Sequence, residues 1–115
     1  MHSHEKIINE ISLLEVFKQC AEEGSELSKA CIKLARKIRD KNPTPLTERE
    51  ILNNITEEVA DVMLCIDILL YSGVIDTDEV AKIMIDKEKR WLNRIDESKK
   101  KKEIDVMPKV VFTLY

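Results

Sequence analysis

The chain has 115 residues, of which 43% are apolar, 36% are charged and only 4% are aromatic, with 2 glycines and 3 prolines. This length predicts one domain, and so few helix breakers and aromatic residues indicate an all-α protein. The formal net charge of -3 excludes bulk attraction to nucleic acid or anionic membranes, and no apolar run is long enough to span a membrane.

The opening segment, Met1 to Ile11, contains His2 and His4 and is predicted to be a frayed first turn. A capping box of the S/T-x-x-E type begins at Ser12 and predicts a helix that ends near Arg39. An earlier start of this helix stays open. Its apolar side chains form one stripe at helical spacing: Leu13, Phe17, Cys20, Gly24, Leu27, Cys31, Leu34, Ala35 and Ile38.

A connection follows from Asp40 to Leu46, where two X-Pro steps disfavour helix. A capping box at Thr47 opens the second helix, which either runs unbroken to Tyr71 or bends near Asn53. Gly73 suits the left-handed position that ends a helix. This helix is apolar nearly all the way round, so we expect it to be buried on nearly every side.

The third predicted helix begins at a capping box on Asp76. Its apolar face contains Val80, Ile83, Met84, Trp91 and Ile95. Lys87 falls near the centre of that face, with Arg90 and Arg94 beside it. A lysine in an apolar stripe usually extends its amine to solvent. Three cations within two turns favour an anion-binding site instead.

The core is predicted over about residues 12–103 of a single domain spanning 1–115, followed by an apolar tail at 104–115. Lys99 to Lys102 suit the negative end of the helix dipole and are read as solvated. The tail from Val106 to Tyr115 favours β-structure and is expected to pack on its own bundle or on a neighbour. Three cysteines without a C-x-x-C pair (Cys20, Cys31 and Cys65) indicate buried free thiols in a reducing compartment, and with no signal peptide we expect a cytoplasmic protein.

Two carboxylate pairs are the candidate site. Glu58 and Asp61 lie three residues apart on the apolar second helix, and Glu23 and Glu26 have the same spacing at the border of the first stripe. Carboxylates against apolar surface are costly unless a cation shares the site. We therefore predict that the two pairs face each other across the helices and bind a divalent metal.

An all-oxygen ligand set suits Mg²⁺, with Mn²⁺ as an alternative. A di-iron bundle needs Glu-x-x-His on two helices, and the histidines of this chain lie outside such a motif. Metal and carboxylates opposite Lys87, Arg90 and Arg94 indicate a phosphorylated substrate. The metal would bridge phosphate oxygens, and one carboxylate would orient an attacking water.

The motifs Glu23-Gly-Ser-Glu26 and Glu58-Val-Ala-Asp61 together resemble the ExxE…ExxD signature of the MazG-like all-α nucleotide pyrophosphohydrolases. The series Lys87-x-x-Arg90-x-x-x-Arg94 is similar to the basic helix of compact members from phages and Gram-positive bacteria. The resemblance covers roughly Phe17 to Ile95. We read Trp91 as a core residue, with stacking on a base as the alternative.

The resemblance implies Mg²⁺-dependent hydrolysis of an NTP or dNTP to the monophosphate and pyrophosphate, in house-cleaning or nucleotide-pool control. Glu23, Glu26, Glu58 and Asp61 would be the catalytic metal ligands. The three cations of the third helix would bind phosphate. An antiparallel bundle of three long helices, with room for a further short one, would be completed in a homodimer or homotetramer. The alternatives are a non-catalytic oligomerisation or regulatory module, and a relative that hydrolyses another pyrophosphate such as phosphoribosyl-ATP.

Overall fold

The computed structural model describes residues 2–39 and 45–114, with side chains to residue 104. These residues form helices and no strand, which confirms the all-α class. The helices are α1 (Ser3–Arg39), α2 (Glu48–Ser72) and α3 (Thr77–Leu114). The chain divides into two compact units, Met1–Ile75 and Asp76–Tyr115, and each is described by itself. Most of the predicted connection at Asp40 to Leu46 lies outside the described residues.

The predicted caps of α2 and α3 are confirmed. The Glu50 N–H donates to Thr47 Oγ1 at 3.1 Å, and the Glu79 N–H donates to Asp76 Oδ1 at 2.9 Å. Each bond satisfies a backbone donor that the first helical turn leaves without a partner. Helix α2 runs unbroken and ends at Gly73, whose φ of 79° lies in the left-handed region.

The prediction of a frayed opening segment is wrong, because the chain is already helical from Ser3. The helix bends at Ser12, where φ is 78° and ψ is 158°. Ser12 still acts as the predicted cap, since its Oγ accepts the Glu15 N–H at 3.4 Å. The segment before the bend stays in place because Ile7 and Ile8 pack against the apolar core.

Helices α1 and α2 form an antiparallel hairpin around a small core of Val16, Ile68 and Leu69. The direction follows from the ring of His2, at the start of α1, which stacks on Tyr71, at the end of α2, with centroids 4.3 Å apart. Partly buried residues complete the core: Ile7, Ile8, Leu13, Cys20 and Ile75. Burial of these side chains holds the first half of α1 against the C-terminal end of α2.

Helix α2 is buried on one side and not all round. Ile51, Cys65, Ile68 and Leu69 are covered. A second apolar stripe is exposed in the single chain: Leu52, Val59, Met63 and Ile66. The expectation that nearly every side of α2 is covered is therefore wrong for one copy of the chain. The predicted burial of all three thiols is also wrong, since Cys31 is exposed.

In the part of α3 whose side chains are described, Ile83, Met84 and Trp91 are exposed, so Trp91 does not fill a core in this structure. The helix continues to Leu114, and the β-favouring tail forms no strand within the described part of the chain. The packing of the tail's side chains lies outside the described residues. No helix in the described part of the chain combines the length and the apolar character that crossing a membrane requires.

Candidate metal centre

Three of the four predicted metal ligands converge in the hairpin. Glu23 of α1 and Glu58 and Asp61 of α2 each offer a carboxylate oxygen, and these oxygens all lie within 4.8 Å of one another. The three-residue spacing puts Glu58 and Asp61 on neighbouring turns of α2, and the packing of the core brings Glu23 opposite them. Three negative charges at this separation repel strongly unless a proton or a cation is shared among them.

Glu58 has a carboxylate oxygen that is sheltered from water. Its Oε2 atom is buried and makes no hydrogen bond, although the residue as a whole is only half-buried. Desolvation is the main reason that the pKa of Glu58 is raised above its usual value of 4.5. A hydrogen bond shared with Glu23 and repulsion from Glu23, Asp61 and Glu26 raise it further. This oxygen is a free acceptor turned away from water.

Asp61 is more exposed than the apolar residues around it predict, and this expectation from the sequence is corrected. Its pKa is raised above 3.8, first by desolvation and then by the charge of Glu23 and a hydrogen bond to it. Glu57 adds a smaller repulsion. The cluster is therefore covered on the Glu58 side and open on the Asp61 side, which would leave an approach for a ligand.

Gln19 is a further member of the site, which the carboxylate motifs alone did not predict. Its Nε2 donates to Glu23 Oε1 at 2.7 Å, one helical turn along α1. The bond orients the Glu23 carboxylate toward α2 without neutralising its charge. The signal was present in the sequence, since Gln and Glu four residues apart on a helix are placed to form this bond.

Glu26 does not join the group of three. Its Oε1 accepts from Lys29 Nζ at 3.4 Å, and both side chains are largely exposed. Glu26 still lies close enough to repel Glu58. Glu26, Lys29 and Glu58 line the same small cleft, of about 160 Å³, with Ile51 at its floor. The structure thus places Glu26 at the edge of the site, held by a lysine.

A buried thiol lies behind the acids. Cys65 of α2 is 7% exposed, and burial is the main reason that its pKa is raised, followed by the nearby Cys20, Glu23 and Asp61. A thiol of this kind stays protonated and unreactive at neutral pH. We read Cys65 as part of the apolar backing of the cluster and not as a ligand.

The predicted phosphate-binding residues all lie on α3, in the second unit. Lys87, Arg90 and Arg94 are exposed and lie along one side of that helix, with Glu97 on the same surface. The structure thus brings these cations together with one another. That the three cations lie opposite the carboxylates of the hairpin stays a prediction.

The donor set of the hairpin fits a hard divalent cation. It consists of carboxylate oxygens from two helices. One of these oxygens, Glu58 Oε2, is buried and makes no hydrogen bond. Oxygen ligands of this kind suit Mg²⁺ and Mn²⁺ better than softer metals. The raised pKa values of Glu58 and Asp61 show that the bare cluster is unfavourable as an anion, and a bound cation would offset this.

Comparison with known proteins gives no relative for this chain. No protein-family model, no curated protein and no solved structure matches it.

Proposed function

We propose that the protein is a Mg²⁺-dependent nucleoside triphosphate pyrophosphohydrolase of the MazG-like kind. The observation that carries the proposal is the meeting of Glu23, Glu58 and Asp61 within 4.8 Å. These are three of the four positions that match the family's carboxylate motif. Glu26, the fourth, would join after release from Lys29, an exposed ion pair of the kind that contributes little to stability.

In the proposed reaction, water attacks the α-phosphorus, the bond from that phosphorus to the bridging oxygen breaks, and pyrophosphate leaves. A bound Mg²⁺ would supply positive charge to the carboxylates and to the phosphate oxygens. Glu23, Glu58 and Asp61 would hold the ion, with Gln19 fixing the direction of Glu23. One carboxylate would orient the water. Lys87, Arg90 and Arg94 would bind the phosphates and neutralise charge that develops on them.

The proposed active protein is a homodimer or homotetramer. The support is the apolar stripe of α2 formed by Leu52, Val59, Met63 and Ile66, which is exposed in one copy of the chain. An apolar stripe of this kind is typical of a surface that packs against another helix. Substrate binding would then depend on oligomerisation, because residues from two copies of the chain can border one pocket.

The test is release of pyrophosphate from a panel of NTPs and dNTPs with Mg²⁺ or Mn²⁺. We expect turnover by the wild-type protein and a loss of at least about a hundredfold in kcat/KM for Glu58→Gln, because a metal ligand is removed. Glu22→Gln is the matched control, since Glu22 is an exposed carboxylate beside the cluster and outside it. No turnover of any nucleotide, or full activity in Glu58→Gln, would contradict the proposal.

A non-catalytic helical assembly is the second candidate, and the same exposed stripe of α2 favours it. In that case the carboxylates would only pair with cations of neighbouring helices. EDTA and Mg²⁺ would then leave the Tm unchanged, whereas the enzyme would gain stability from the bound ion.

A further inference from the structure

A cleft between α1 and α2 adjoins the metal centre inside one compact unit. Its floor is apolar and consists of Ile51, which is 1% exposed, and Ala30. The walls come from both helices and carry polar or charged side chains: Glu26, Lys29 and Lys33 of α1, and Asn54, Glu57 and Glu58 of α2. Glu58 belongs to the cleft and to the metal centre, so a ligand of a metal bound there can extend into the cleft.

Lys29 and Lys33 give the cleft two positive charges on one side of α1. They are four residues apart, which places them about 40° apart around the helix and about 6 Å apart along its axis. Lys29 Nζ donates to Glu26 Oε1 at 3.4 Å, whereas Lys33 makes no ion pair with the described residues. An ammonium group on a flexible chain is a common ligand for phosphate. The structure thus places two such groups beside a carboxylate of the metal centre.

The charge of the cleft depends on the metal. Three glutamates line it against two lysines, so the metal-free cleft is net negative and repels an anion. A divalent cation at Glu58 adds two positive charges and reverses this sign. The cleft volume of about 160 Å³ is below the roughly 300–1,000 Å³ of sites that enclose a whole small ligand. It therefore has room for one end of a nucleotide, and a phosphate group that arrives with the metal suits both its size and its charge.

The ion pair of Lys29 with Glu26 is weak enough to exchange. The two side chains are 67% and 54% exposed, and ion pairs in water of this kind contribute little to stability. Glu26 also lies close enough to the metal centre for its charge to raise the pKa of Glu58. A metal bound at Glu58 therefore competes with Lys29 for the Glu26 carboxylate.

We propose that Lys29 and Lys33 bind a phosphate group of the substrate in this cleft, and that the metal frees Lys29 for this role by taking over Glu26. The inference rests on the proposed function and adds phosphate ligands from the hairpin itself. Asn54, on the opposite wall, has an amide that can donate to a phosphate oxygen. Binding of the metal and binding of the phosphate are then coupled, because both require the same ion pair to open.

Calorimetric titration of the full-length protein with inorganic pyrophosphate tests the two lysines without turnover. In Mg²⁺ the wild-type protein should bind pyrophosphate, and Lys29→Gln and Lys33→Gln should each raise the Kd by about three- to tenfold. Lys18→Gln is the control, since it removes the same charge from the same helix, three turns before Lys29 and outside the cleft. An unchanged Kd in both cleft variants, an equal loss in Lys18→Gln, or no binding by the wild-type protein would overturn the proposal.

Titration with Mg²⁺ alone tests the exchange of partners. Lys29→Gln should bind Mg²⁺ about two- to fivefold more tightly than wild type, because the competitor for Glu26 is removed. A double-mutant cycle should show that this gain vanishes when Glu26→Gln is also present. Lys29→Gln thus has opposite effects on the two ligands, which a loss of folded structure does not produce. A gain that persists beside Glu26→Gln would reflect charge at a distance and would overturn the exchange.

Failure of this inference is distinguishable from failure of the proposed function. If the wild-type protein hydrolyses nucleotides while both lysine variants bind pyrophosphate normally, only the assignment of Lys29 and Lys33 falls. If no nucleotide is hydrolysed but binding of pyrophosphate still depends on Mg²⁺ and on both lysines, the enzyme proposal falls and the phosphate site between α1 and α2 stands.

Discussion

Glu23 of α1 and Asp61 of α2 hold carboxylate oxygens within 4.8 Å of each other across the helix interface. Two anions so close oppose the packing of the helices that carry them. The contact persists because Val16 pairs with Ile68 and Leu69 in the apolar core. Burial of the apolar side chains thus stabilises an arrangement of charges that is unfavourable by itself. A cation that binds between these carboxylates would relieve their repulsion, which favours its binding.

Glu23→Gln should raise the Tm of the metal-free protein at neutral pH, because one of the three repelling charges is removed while the bond from Gln19 can still form. The same variant should lose most of the rise in Tm that Mg²⁺ produces in the wild-type protein. Thermal melts in EDTA and in excess Mg²⁺ measure both effects. Glu22→Gln serves as control and should keep the response to Mg²⁺. A Glu23→Gln variant with an undiminished response would rule out Glu23 as a ligand.

The metal-free protein should lose stability as the pH rises through the range where Glu58 and Asp61 ionise. Their pKa values are raised in the folded state, so the folded state binds protons more tightly than the unfolded state. The two protonated carboxyl groups therefore contribute to the stability of the folded state at low pH. This contribution declines as the pH rises above the usual pKa values of the two side chains, 4.5 for Glu58 and 3.8 for Asp61. The measurement is the Tm in EDTA against pH for wild type and for a Glu58→Gln, Asp61→Asn double variant. The advantage of the variant should grow toward neutral pH, and a constant difference would contradict the assignment.

Leu69→Ala should destabilise the hairpin by about 2–5 kcal/mol, since Leu69 is 3% exposed and its removal leaves a cavity beside the core. Leu14→Ala makes the same chemical change at a side chain that is 77% exposed, and should cost no more than about 0.5 kcal/mol. Urea unfolding followed by far-UV circular dichroism gives both free energies. Similar losses at the two positions would mean that the core is elsewhere.

The two glycines of the chain should respond to alanine in opposite directions. Gly73 has a φ of 79°, so Gly73→Ala should cost about 1–2 kcal/mol. Gly24 lies inside α1, and a Cβ there would meet no atom within 4 Å. Gly24→Ala should therefore stabilise the helix by up to about 1 kcal/mol. Chemical denaturation of each single variant against wild type is the measurement, and a gain at Gly73 would contradict the cap.

The starts of α2 and α3 could be predicted because capping contacts are local, whereas α1 begins nine residues before the capping box at Ser12. The side chains of Ser12, Thr47 and Asp76 each accept the N–H three residues later, as the capping motifs predict. The left-handed Ser12 could not be foreseen, because serine rarely adopts a φ of 78°. That conformation is imposed by the packing of Ile7 and Ile8, which is a tertiary effect.

The candidate site was predicted in outline only. Spacing along a helix gives the side of α1 on which Glu23 and Glu26 lie, but not the rotation of α1 against α2. The structure directs Glu23 to the interface and leaves Glu26 with Lys29. The sequence of α2 is apolar on most sides, so it also could not show which side faces α1. Met63 lies on the side away from the core and is 58% exposed.

The bend at Ser12 gives the hairpin a part that can detach on its own. A non-glycine residue at this φ and ψ stores roughly 1–3 kcal/mol of strain, and undocking of the first nine helical residues, Ser3 to Ile11, would release it. Undocking would also separate His2 from Tyr71 and uncover the end of the core. Backbone amide protons before Ser12 should therefore exchange with solvent through a partial opening of the hairpin. Those in the long helical segment after Ser12 should exchange only through global unfolding.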